Sequence, residues 1–185
     1  MLPHMPSWDL LHPLIIHFPI ALLFLSPLFL AISAAVPPRK SRPYLVSAIL
    51  ILLLGTGSLF LSASTGKAAG ELADRDGAVN AVLETHERLA SETKVVFLGL
   101  STILLGMFAL PRALKRQESR LFSTLLPLAF LVLYSAGLLF LVKTAHAGGR
   151  LVHEFGVHAL LPASDSQATV APVGENDSTA VGKEE

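Results

Sequence analysis

Six histidines (His12, His17, His86, His146, His153 and His158) fall where apolar segments of this chain give way to polar ones. Imidazole is costly in hydrocarbon, so ring nitrogens at the ends of membrane helices mark functional positions. Brought together on one face of a membrane, rings from several segments would form a single ligand site. Imidazole suits iron, copper and zinc, and haem iron, which accepts axial histidine, is the reading these residues fit best. The chain has no cysteine. That excludes disulfides, Cys-ligated iron–sulfur clusters, zinc ribbons and Cys-x-x-Cys-His haem attachment.

The first candidate stretch is His12-Pro13-Leu14-Ile15-Ile16-His17-Phe18-Pro19-Ile20. Pro13 suits a first helical turn, where its missing N–H costs nothing, and puts His12 at the N-cap. His17 lies five residues further in and faces away from His12. Pro19 deprives Ile15 of a helical partner and bends the chain beside His17. Both rings can serve as ligands; an interfacial His12 and a His17 hydrogen-bonded between helices is the plainer alternative. Near the end of the last apolar segment stands His146, with Gly148-Gly149 placed as its C-cap. Interaction with the helix dipole would also account for His146. His153 and His158 follow in a less regular stretch and read as surface residues.

Four stretches approach or exceed the roughly 20 apolar residues that cross a bilayer: about 11–36, 44–64, 94–112 and 121–143. Charged residues make up 15% of the chain, below the roughly 25% usual in soluble domains. Two short basic loops, 37–43 with Arg39, Lys40 and Arg42, and 111–120 with Arg112, Lys115, Arg116 and Arg120, hold half of the 14 Lys and Arg. Glu118 is their one acid. The positive-inside rule makes these loops cytoplasmic and both termini periplasmic, in a bacterial inner membrane. Residues 1–9 hold no Lys or Arg, so the first span reads as a retained anchor rather than a cleaved leader. Net charge is zero, which gives no support to nucleic-acid binding.

The 65–93 connection is too long for a bare turn. Over 78–90 and on to Thr93, Val82, Leu83, His86, Leu89, Ala90 and Thr93 share a helical face, so an amphipathic helix carries His86 on its buried side and can run on into the third span. The fold class expected is all-α, an integral membrane four-helix bundle with an extra external amphipathic helix, over residues 1–161. Residues 162–185 are rich in Pro, Ser, Thr, Asp, Glu and Gly and read as a disordered external tail.

A stripe of small residues, Gly55, Ser58, Ser62 and Thr65, runs along the second span. It fits either close helix contact or a groove for a flat macrocycle. Gly99 and Gly106 share a face of the third. Lys67, Arg88, Lys143 and Arg150 lie where they would meet propionates, or serve as ordinary membrane-edge anchors.

His12-Pro13 with His17-Phe18-Pro19-Ile20, Thr65-Gly66 with Ala69-Gly70 as a turn, the isolated His86, and His146-Ala147-Gly148-Gly149-Arg150-Leu151-Val152 together resemble a family of predicted four-helix bacterial membrane proteins. The resemblance covers nearly all of the chain except the acidic tail. It implies His12, His17, His86 and His146 as the family's polar signature, and small b-type cytochromes as the kind of protein. In the family's last motif an aromatic residue and then a histidine follow; here His153 and Phe155 stand in those places, which departs from the pattern.

The function expected is therefore a membrane-embedded b-type haem protein. Bis-histidine ligation near the periplasmic face would involve His17 opposite His146 or His86, with one haem or two. Such a protein acts in electron transfer, alone or as a redox subunit of a larger complex, with a quinone or a partner protein. A copper or zinc site using Glu87 or Glu154 is the alternative, and a purely structural subunit the third. No His-Glu-x-x-His, Gly-x-Ser-x-Gly or phosphate-loop pattern points to hydrolysis.

Overall fold

The computed structural model describes residues 11–73, 76–115 and 119–157. The readings made for residues 1–9, for His158 and for the 162–185 tail lie outside the described residues. Every described element is helical: α1 (His12–Ile15), α2 (His17–Ala35), α3 (Pro38–Glu71), α4 (Gly77–Ala113), a π-helical turn (Leu121–Leu125) and α5 (Leu126–His153). Four runs are long and apolar enough to cross a membrane: His12–Ala35, Pro38–Glu71, Gly77–Ala113 and Leu121–His153. Each run matches one of the four apolar stretches read from sequence, the first to within one residue at either end.

Proline sets several local features. Pro19 offers no N–H to the carbonyl four residues back and its ring crowds that position. The helix is accordingly interrupted at Ile16, between α1 and α2. His12 is the first residue of α1, with Leu11 at the cap, one position off the expectation. Residues 37–43 are not a turn, because α3 already begins at Pro38 and carries Pro43 inside it. Pro127 leaves the Ser123 carbonyl without its helical donor. There the backbone winds into the π turn, with Leu126 N–H donating to the Leu121 carbonyl.

The spans pack in a ring: α2 on α3, α3 on α4, α4 on α5, and α5 back on α2. Leu23, Leu52, Phe97, Leu104, Phe130 and Tyr134 fill its centre. In lipid, tight packing and interhelical hydrogen bonds hold such a bundle together. Gly55 is buried where a Cβ would stand 2.7 Å from Leu23 Cδ2, and Gly137 where one would stand 2.6 Å from Leu100 Cδ1. Ser26 Oγ donates to the Ala48 carbonyl at 3.0 Å, and Thr56 and Ser101 hydroxyls meet at 3.0 Å. Large apolar side chains such as Val132, Val95 and Leu139 point outward, as lipid contact requires. Gly99 and Gly106 also face outward, with nothing within 4 Å of an added Cβ.

Three helices run well past their apolar stretches. α4 has 37 residues, or about 55 Å at 1.5 Å per residue, against a hydrocarbon layer of about 30 Å. The amphipathic 78–90 segment is thus the first part of α4 and not a separate helix. Asp76 caps it, its carboxylate accepting from Val79 N–H at 3.0 Å. α3 continues through Thr65-Gly66 to Glu71, and α5 through Gly148-Gly149 to His153, so neither glycine pair ends a helix. These extensions bury a second apolar cluster of Val79, Leu83 and Leu151, with Ala73, Val82, Phe155 and Val157 against it.

Candidate functional site

At the histidine end of the bundle the chain repeats one arrangement twice, once in each helical hairpin. In the first hairpin His12 Nδ1 lies 3.0 Å from Thr65 Oγ1 on α3. Thr65 is fully buried, and its hydroxyl reaches the Ser62 and Leu61 carbonyls at 3.0 and 3.3 Å. The Thr65 hydroxyl and His12 Nδ1 share this contact, the hydroxyl accepting when Nδ1 carries the proton and donating when it does not. In the second hairpin His86 Nδ1–H donates to the Thr144 carbonyl on α5 at 3.0 Å. A carbonyl can only accept, which fixes this tautomer. The Thr144 hydroxyl also meets Thr93 Oγ1 at 2.8 Å, tying α5 to α4 about two turns along from His86.

His86 therefore keeps Nδ1 protonated and Nε2 as a bare lone pair, and His12 presents Nε2 in the same way when its Nδ1 carries the proton. A hydrogen bond at one ring nitrogen that orients the other is the usual support of a metal-binding histidine. Each ring also lies against a glycine of the opposite helix. An added Cβ on Gly66 would stand 2.8 Å from His12 Cε1, and one on Gly148 would stand 3.0 Å from His86 Cε1. Only glycine lets backbone and imidazole come this close.

The other sequence-derived candidates fall elsewhere. His17 is exposed at the start of α2, and His153 is exposed at the end of α5. His146 is exposed too, in a groove of about 220 Å³ between α4 and α5, with Leu89, Lys143 and Arg150 beside it. His12 and His86 are thus the histidines the helices take partly inward, while His17 and His146 stand exposed. Among the described residues no three His, Asp or Glu side chains are gathered about one point.

Gly55 is taken up by packing on Leu23. Ser58 donates to the Gly55 carbonyl of its own helix at 2.8 Å, and Ser62 contributes its carbonyl to the Thr65 hydroxyl. Lys67 and Lys143 are exposed. Arg88 pairs with Glu92 at 4.0 Å and Arg150 with Glu154 at 2.8 Å, both one turn along their own helices. Glu87 reaches across to Gly70 of α3.

Sequence reasoning gave Thr144 no role, and it read Gly66 as part of a turn and Gly148 as part of a C-cap rather than as ring contacts. A signal for part of this was available: each hairpin opens with a histidine and closes with a threonine followed by a glycine, Thr65-Gly66 and Thr144 with Gly148.

No curated protein and no solved structure matches the chain. The family described as "Predicted membrane protein (DUF2231)" matches residues 9–160, a stretch that takes in all four spans, both histidines and both supporting glycines. The chain belongs to this family of predicted membrane proteins.

Proposed function

We propose that this protein binds haem b between His12 and His86 and transfers electrons at the periplasmic face of a bacterial inner membrane. The observation that carries the reading is the matched pair of imidazoles from opposite hairpins. Each is anchored through Nδ1, to the Thr65 hydroxyl and the Thr144 carbonyl respectively. Two donors suit a group that brings its own equatorial nitrogens, since haem iron needs only its axial positions filled. Bound there, haem would supply one-electron chemistry.

The residues' own part is orientation. The Thr144 carbonyl fixes the His86 tautomer, and Thr65 holds the His12 ring through Nδ1. Gly66 and Gly148 let each ring pack directly on the backbone of the opposite helix. With basic loops on the cytoplasmic side, the pair lies outward. Exchange is then with a quinone or a partner protein at that surface, alone or within a larger complex.

The test is the colour of the full-length protein purified in detergent from haem-replete cells. A Soret band and a reduced α-band are expected, with near-stoichiometric haem. His12→Ala and His86→Ala should each remove most of that absorbance, while His17→Ala and His146→Ala retain it. Colourless protein carrying stoichiometric copper or zinc would overturn the reading, as would haem retained in both the His12 and His86 variants.

A further inference from the structure

The opposite end of the bundle carries a second feature, independent of the histidine pair. A pocket of about 280 Å³ opens there, bounded by all four spans. Arg39 and Arg42 come from the start of α3, Arg112 from the end of α4, and the buried Ser33, Ser41 and Ser123 line its inner side. The three hydroxyl protons are already donated to backbone carbonyls: Ser33 to Ser41 at 3.1 Å, Ser41 to Pro38 at 2.9 Å, and Ser123 to Ser119 at 3.1 Å. What the pocket offers a ligand is therefore positive charge, from Arg42 and Arg112 with Arg39 beside them. Arg112 is held over the Phe108 ring at 4.2 Å, a placement that orients its planar fork.

Further observations favour an anion. Lys40, Lys115 and Arg120 add charge around it. Leu110, Leu114, Leu121 and Leu125 are exposed on the same end and offer acyl chains an apolar surface. Basic pockets between spans on the positively charged side suit acidic lipid headgroups.

We infer that this pocket binds the phosphodiester headgroup of an anionic phospholipid, with Arg39, Arg42 and Arg112 as its ligands. Guanidinium forks match phosphate oxygens in pairs. The lipid source is favoured because the pocket lies between apolar spans and exposed leucines, where headgroups are already concentrated.

Native mass spectrometry and thermal-shift measurements on the full-length protein in detergent test this. Phosphatidylglycerol and phosphatidylcholine are added separately, with inorganic phosphate as a third arm. Wild-type protein should retain phosphatidylglycerol by about tenfold or more over phosphatidylcholine, as charge-assisted contacts predict. It should also unfold at a higher temperature with the anionic lipid. Both effects should shrink as salt is raised. The triple variant Arg39→Gln/Arg42→Gln/Arg112→Gln should lose the preference and Lys94→Gln should keep it. If the triple variant does not fold, Arg42→Gln alone should lower the preference. Equal retention of the two lipids by wild-type protein overturns the inference. So does a preference that survives the arginine changes, or inorganic phosphate that stabilises as well as phosphatidylglycerol.

Discussion

Gly66 and Gly148 each face an imidazole, at distances where a methyl group would press on a ring carbon. Gly66→Ala, at 2.8 Å from His12, should therefore push the ring off its threonine. Overpacking of this kind costs about 1–3 kcal/mol, readable as a lower unfolding midpoint in detergent. Any haem absorbance should shift or fade with it. Gly148→Ala, with slightly more room, should show the smaller loss. Gly149→Ala meets nothing within 4 Å and should stabilise by up to about 1 kcal/mol, since alanine is the better helix former. An equal response at all three positions would mean that the rings are not what these glycines accommodate. The candidate residues were visible in the sequence as polar groups at the ends of apolar stretches. Their pairing was not, because it depends on how each helix is rotated in the bundle, and the spacing of His12 and His86 along the chain does not carry that.

Within α2, Pro27 withholds the N–H that the Leu23 carbonyl would otherwise accept, and Tyr134 from α5 donates its hydroxyl there at 2.7 Å. The ring of Tyr134 is meanwhile held edge-on between Phe97 and Phe130. Tyr134→Phe should keep the packing and orphan the carbonyl, costing about 1 kcal/mol on the scale of interhelical hydrogen bonds in membranes. In a Pro27→Ala background the carbonyl regains a helical donor, so the same change should cost measurably less. Equal costs in the two backgrounds, by a double-mutant cycle of unfolding midpoints, would sink this account. The existence and number of the spans were legible from hydropathy alone, and Pro19 signalled the break at Ile16. Helix ends were less legible. Gly66 and Gly148 look like stop signals, yet both lie inside continuous helices, because contact with an imidazole offsets the poor helix propensity of glycine.

Taken whole, the protein is a bundle with two cores, one among the spans and one among the helical extensions beyond the apolar stretches. The outer core rests on few residues, with Leu83 on α4 facing Leu151 on α5. Leu83→Asp should place a charge in that small cluster and open it. Hydrogen exchange should then speed up across 77–93 while amides of 94–112 stay protected. Exchange that rises throughout α4 would show that the two cores unfold as one. The ring of spans between the two ends is filled by side chains such as Phe97, Leu104 and Tyr134, and the imidazole pair lies wholly to one side of it. An electron reaching that pair from the adjacent aqueous phase would traverse little of the voltage drop across the bilayer. A full crossing is worth about 2.3 kcal/mol per charge at 100 mV. A redox centre seated there would thus keep nearly the same midpoint whether the membrane is energised or not.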